Sequence, residues 1–422
     1  MAKKLTKEEK NEKTFPPILT SSIEECNALF DLFLQQTNDL VEKYSRDYRK
    51  LEENIKFLPE ENGKLQIPLR KYRHYKLLSE AVSQDEKMIE MCPKFTISHL
   101  VQIYDIFLTR FLTEILLVYP GVESVCDKAL KMEHHKDAKT LEDVKLAYIK
   151  MQVEELMRDS HINQIKWIDK KLKTDLEKFP FLKDFVFLTE LRNIIIHNDG
   201  IINGIFKSNL KKFGIDVSGY KLNARLSISY DIMQRSFSCI IAFIVFIYAS
   251  LCRKILKKED ALCSVINDSI IYEYLCEHKY KRVHLLATLL LESDIKLPKE
   301  TEDTIKVNLA IAYKKSNNDK YKNIASGLES EECDIQLAKA VLLDDYETAV
   351  KLFKDLGCGA KFYRGSFEWP LFDGFRDMEE FKQAFKEIFG EDFDDINESE
   401  VLNKEKSFHS ESQDDDRIEE SA

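Results

Sequence analysis

The stretch TELRNIIIHNDGIING, residues 189–204, decides how the chain is read. Three consecutive isoleucines, Ile194 to Ile196, sit inside a polar frame of Arg192, Asn193, His197 and Asn198. The run ends at Asp199-Gly200, a helix stop in which Gly200 suits the C-cap. The preceding apolar residues back to Leu182 extend the helix over 182–198. Asn193 and His197 are four apart and share a face, and Glu190 lies two turns from His197 on that face. Arg192 is about 140° round the helix from His197, within swinging reach of a ligand held there. His197 falls in the last turn, where the carbonyl end of the helix favours a cation. A histidine can move a proton, a guanidinium can grip a phosphate as charge builds on it, and an amide can orient both. Phosphodiester cleavage needs those three groups.

Outward from this helix the pattern is helical. Apolar positions recur at helical spacing from Ile18 to Phe57, ENGK (61–64) interrupts them, and Pro68 suits a second helix start. Cys92-Pro93 predicts a break, with Ser98 capping a new helix that ends at Pro120-Gly121. Thr140 predicts another N-terminus, with Glu142 and Asp143 in its first turn. The last helix of this region spans 230–258, and at most a short hairpin fits 203–229. Gly (12) and Pro (9) together make about 5% of the chain, against roughly 12% in average usage. So few turn residues argue against a sandwich, barrel or collagen-like fold and for long helices. The fold class is all-α, with a helical bundle over 18–258 after a polar extension, 1–17.

From 259 to 393 the helices shorten. The stretches 307–328 and 336–357 look like degenerate helical-repeat units, with Ala338, Ala340, Tyr346, Ala349 and Phe353 in the second. They resemble tetratricopeptide hairpins, a candidate surface for a protein partner. Phe381, Phe385, Ile388 and Phe389 form one apolar stripe near the end. Residues 394–422 read as an acidic disordered tail.

Charge is unevenly placed. The net charge is −11, yet residues 391–422 hold 13 acids against 3 cations, so the rest is near −1. Residues 201–258 carry ten Lys/Arg against Asp216 and Asp231. Lys207, Lys211 and Lys212 from that run, with Arg70, Lys71 and Arg73 beside Tyr72, are candidate RNA contacts, since cations meet phosphates and bases stack on tyrosine. The uncharged 17-residue run 236–252 falls short of the roughly 20 needed to span a bilayer and reads as a core helix. Nine cysteines without a C-x-x-C, behind no signal peptide, read as reduced, and the expected location is cytoplasmic. Cys126, Glu133, His134 and His135 lack metal-ligand spacing, Cys358 lacks a histidine neighbour, and no nucleotide-binding glycine motif occurs. Neither metal nor cofactor is expected.

The pattern R-N-x-x-x-H-N-x-G-x-x-N, with 147–172 upstream and the W-P-L-F…F-R…E-F-K-x-A-F-K-x-I-F-G run from Trp369 to Gly390 downstream, resembles the HEPN superfamily followed by a helical-repeat tail. The resemblance implies a four- or five-helix bundle that forms a homodimer with paired R-x4–6-H motifs facing one cleft. It implies metal-independent endoribonuclease activity, often in toxins or anti-phage defence. Arg192 would stabilise the phosphate, Asn193 orient groups around it, and His197 act as acid or base, supported by Glu190, Asn198 and Asp199. Asp199 occupies a position that is tyrosine in nucleotidylated toxins of that family. Many HEPN members are inactive nucleotide- or protein-binding modules, the alternative expectation.

Overall fold

The computed structural model describes residues 7–56, 58–61, 64–119, 139–256, 264–295, 297–357 and 367–393. The chain is mostly helical and divides into two compact units, 1–263 and 264–422.

Unit 1 is built on two long helices, α1 (Lys7–Ile55) and α2 (Leu69–Val118), joined through the two-residue strands β1 (Glu60–Glu61) and β2 (Lys64–Leu65). They run antiparallel. Phe15 meets Phe111 edge-on at 5.8 Å, and Tyr75 donates to the Asn54 carbonyl at 2.9 Å. Helix α1 starts well inside the stretch read as a polar extension. Phe15, Leu19, Ile23 and Cys26 form a buried stripe at helical spacing that makes 7–17 part of the bundle, with Pro16 and Pro17 inside the helix.

Helix α2 likewise runs unbroken through Cys92-Pro93, and Ser98 caps nothing. Proline's φ is helical, so its cost is one lost hydrogen bond and crowding of the preceding turn. Burial of Ile97, Leu100, Val101 and Tyr104 just beyond it outweighs that cost. Ser98 Oγ instead donates back to the Lys94 carbonyl at 2.9 Å.

Three helices follow in order: α3 (Leu141–Met157), α4 (His161–Leu172) and α5 (Leu182–Asn198). The expected start at Thr140 is a capping box with Asp143. Residues 203–229 hold α6 (Gly204–Lys212) rather than a hairpin, and the only strand-like pairing described there is a bridge from Ile201 to Arg225. Helix α7 (Tyr230–Leu251), which runs on as a π-turn to Leu256, is the centre of the unit. It is the one described helix long and apolar enough to cross a membrane, and 78% of its most apolar window is buried. Phe243 shows why: it packs on Phe185 at 4.4 Å, Phe179 at 4.6 Å and Tyr104 at 5.7 Å.

Beyond this core the α1–α2 pair continues as a two-helix arm. Of its described residues from 34 to 56 and 65 to 93, only Tyr75, Val82 and Asp85 are buried. Lys43 pairs with Asp85, and Tyr44 donates to Glu86 at 3.1 Å.

Unit 2 contains α8 (Tyr272–Cys276), α9 (Tyr280–Glu292), α10 (Lys299–Lys315), α11 (Lys320–Ser326), α12 (Cys333–Leu342), α13 (Tyr346–Leu356) and α14 (Glu379–Phe389). Helices α11 and α13 fall within the two stretches read as repeat units, whereas α10 and α12 begin before them, at Lys299 and Cys333, and end inside them. Phe353 of α13 gathers the aromatic stripe: Phe367 at 4.7 Å and Phe381 at 5.3 Å. A buried polar chain crosses the unit. Trp369 Nε1 donates to Asn308 at 3.0 Å, and Asn308 Nδ2 donates to Asn267 at 2.8 Å. Cys126, Glu133 to His135, Cys358 and the acidic tail lie outside the described residues.

Candidate functional site

Helix α5 buries Phe185, Leu188, Leu191 and Ile194 and turns Asn193, Ile196 and His197 outward. Its end differs from the glycine cap read from the sequence. Asp199 itself takes the left-handed conformation at φ 50°, followed by Gly200 at φ 76°. The Gly200 N–H closes the turn onto the Ile194 carbonyl at 2.9 Å. A non-glycine residue in this region is disfavoured, and Asp199 is held there by its side chain. Its carboxylate accepts from Arg225 at 2.7 Å and from Lys94 at 3.2 Å. Glu90 completes a square of four charges, accepting from Arg225 at 2.8 Å and Lys94 at 2.9 Å. Lys94 is the inner member, with a side chain only 10% exposed. Its Cε lies 3.6 Å from where a Cβ on Gly200 would stand, so glycine leaves room for the lysine stem.

These contacts set the local electrostatics. Hydrogen bonds from Arg225 and then Lys94 hold the Asp199 carboxyl below the usual range. Bonds from Lys94 and then Arg225 do the same for Glu90. Asp199, two residues after His197, is therefore an ion-paired carboxylate and not a free negative charge.

Around this clamp the motif residues stay open. His197 is exposed, and among the described residues nothing hydrogen-bonds to it or pairs with it. Arg192 is half-buried. Its Nη1 donates weakly to Asn193 at 3.4 Å, and its Nε is buried without a partner. Ile196 lies between them, 49% exposed. The supporting residues divide. Asn198 donates to the Ile201 carbonyl at 2.6 Å and so shapes the turn after α5. Glu190 accepts from Asn209 at 3.0 Å and ties α5 to α6, away from His197.

The charge surplus counted over 201–258 is smaller in space than in sequence. Arg225 is matched by Glu90 and Asp199, and Arg235 by Asp184 at 2.6 Å. Lys207 donates to the Tyr220 carbonyl at 2.6 Å, and Lys212 to Asn209 at 3.1 Å. Lys211 remains exposed. Arg70, Lys71 and Arg73 do not adjoin His197. They open α2, about 32–36 Å along the helix from Lys94 at 1.5 Å per residue.

Lys94 and Glu90 were not legible as site residues, because nothing in the sequence links them to a helix end about a hundred residues later. Among the described residues no cluster of His, Cys, Asp and Glu could hold a metal ion. No protein-family model, curated protein or solved structure matches the chain.

Proposed function

We propose that the chain is a metal-independent endoribonuclease of the HEPN type, acting in the cytoplasm as a homodimer in a toxin or anti-phage defence setting. The observation that carries this reading is the state of the α5 end: His197 exposed, Asn193 one turn before it on the same face and joined to half-buried Arg192, and none of the three held in an ion pair among the described residues. A structural Arg–His pair would be sealed against a carboxylate. Asp199, two residues after His197, and Glu90 are taken up by Lys94 and Arg225.

In the reaction, the RNA 2′-oxygen loses its proton and attacks the adjacent phosphorus. A 2′,3′-cyclic phosphate forms and the 5′-oxygen leaves with a proton. His197 handles one of these two protons, and Arg192 neutralises the charge gathering on the phosphoryl oxygens. Asn193, joined to Arg192, holds the guanidinium toward the face it shares with His197. The helical hairpins of unit 2 serve as a repeat-like surface for a protein partner.

The test is RNA degradation by purified protein with EDTA present. Wild type should cleave, and His197→Ala should lose roughly 100-fold or more, the scale of general acid–base catalysis. Arg192→Ala should lose activity comparably. Cleavage that survives both substitutions removes the mechanism.

One observation favours a second reading, a non-catalytic binding module. Exposed Ile196 between Arg192 and His197 would suit a partner protein better than a polynucleotide. That reading expects no cleavage by wild type and weakened partner binding in Ile196→Asp.

A further inference from the structure

The start of α2 carries Arg70, Lys71 and Arg73 around Tyr72, all exposed, with Tyr72 at 53%. Among the described residues none of the three cations has an ion pair, and no acid occurs from residue 66 to 79. Several other cations of unit 1 are matched: Lys43 by Asp85, Lys94 and Arg225 by two carboxylates each, Arg235 by Asp184. The first turn of α2 also has no acidic residue. Positive side chains there oppose the helix dipole and cost stability, so local stability does not account for them.

Further along the same arm, α1 presents an open groove of about 390 Å³ lined by Arg46, Arg49 and Lys50 with Glu42 and Glu53. Helix α2 connects the arm to the end of α5. Lys94, which clamps the residue two after His197, lies on the helix that begins with Arg70.

We infer that the arm is a second contact for single-stranded RNA, so that efficient substrates must reach from His197 to Arg70–Arg73. This rests on the ribonuclease reading for the identity of the strand. Cations would take its phosphates and Tyr72 would stack a base. The span of about 32–36 Å corresponds to about ten stacked nucleotides at roughly 3.4 Å per phosphate. Shorter strands reach only the motif.

The exposed Leu69 (91%) and Leu77 (57%) beside these cations also suit an anionic lipid surface. Glu60, exposed in the hairpin just before α2, opposes that occupant.

The probes are fluorescein-labelled 2′-O-methyl RNAs of 4 and 20 nucleotides, which lack the attacking hydroxyl, titrated by anisotropy with the full chain at several salt concentrations. Wild type should bind the 20-mer more tightly than the 4-mer. Substituting Arg70→Ala, Lys71→Ala and Arg73→Ala together should weaken the 20-mer roughly ten- to hundredfold and flatten its salt slope by about 2, as loss of three phosphate contacts requires. The 4-mer should be unaffected. Tyr72→Ala should weaken the 20-mer with the salt slope unchanged. The substituted side chains are exposed, and an unchanged melting curve shows that the fold holds.

The inference is overturned if the triple variant binds the 20-mer as wild type does, or if both lengths bind wild type equally. Loss of binding to phosphatidylserine vesicles with RNA binding intact also overturns it, in favour of the lipid surface. Failure of the ribonuclease reading looks different: no cleavage of unmodified RNA by wild type, while the arm's length-dependent binding persists.

Discussion

Replacing Lys94 with methionine keeps its buried stem and deletes the ammonium at the centre of the four-charge square. The lysine makes two charge-assisted hydrogen bonds, to Glu90 at 2.9 Å and Asp199 at 3.2 Å. Such bonds contribute about 1.5–3 kcal/mol each when well shielded, and exposed pairs about 0–1 kcal/mol. Here the nitrogen is sheltered, but its partners are 49% and 65% exposed, so solvent screens much of the attraction. Arg225 also keeps hold of both carboxylates after the substitution. The expected loss for Lys94→Met is therefore about 1–2 kcal/mol.

Urea unfolding would measure it, followed by Trp167 fluorescence with Trp369 replaced by phenylalanine so that only unit 1 reports. Amide exchange supplies the local readout. The Gly200 N–H, bonded to the Ile194 carbonyl, should exchange faster once Asp199 is half-released, and RNA cleavage should fall several-fold as the His197 turn frays. Arg225→Met, at a guanidinium 45% exposed, should cost less. A Lys94→Met loss below about 0.3 kcal/mol, or a larger loss at Arg225, would refute the view that the buried ammonium organises this end of α5.

Acid should undo the same clamp. Asp199 and Glu90 have depressed pKa values in the fold, so their contribution is complete above the unfolded values of about 3.9 and 4.3. It disappears as pH falls through the still lower folded values. The melting-temperature gap between wild type and Asp199→Asn should hold from pH 7 to 5 and close toward pH 3. A gap that does not change would show that Asp199 is not held as an ion. In unit 2, Asn308→Ala leaves the Trp369 Nε1 and the buried Asn267 without their partner. It should cost about 1–3 kcal/mol, chiefly the buried Asn267 oxygen left unpaired, seen as a lower urea midpoint for Trp369 fluorescence. A midpoint unchanged from wild type would mean water replaces the asparagine.

Much of the fold was legible because it depends on local periodicity and capping. Thr140, the span 182–198 and the start after Pro68 each follow from residues within one or two turns. So did the all-α class, since scarce glycine and proline leave few places to turn. Where local signals competed with packing, packing decided. Pro93 and Pro16-Pro17 are breakers by themselves, yet Phe15 against Phe111 and the buried run after Pro93 continue the helix through them. The burial of α7 also needed neighbours, because an apolar segment has the same sequence in a bilayer and in a core.

The candidate site divides the same way. Arg192, Asn193 and His197 lie within six residues, so helical geometry alone sets their relation. Apart from the i,i+4 pair Glu90–Lys94, the clamp of Glu90, Lys94, Asp199 and Arg225 joins positions 26 to 135 residues apart, which no spacing rule reaches. Charge counted along 201–258 overstated the basic surface because Glu90, Asp184 and Asp199, all outside that window, neutralise part of it. The α1–α2 pairing likewise carried Arg70, Lys71 and Arg73 away from His197, to the far end of a helix whose length the sequence had cut at Pro93. Short-range order is written in the chain because neighbouring residues share one backbone geometry. The distance between charged groups belongs to the folded state, because it is fixed only when buried apolar faces select which helices lie side by side.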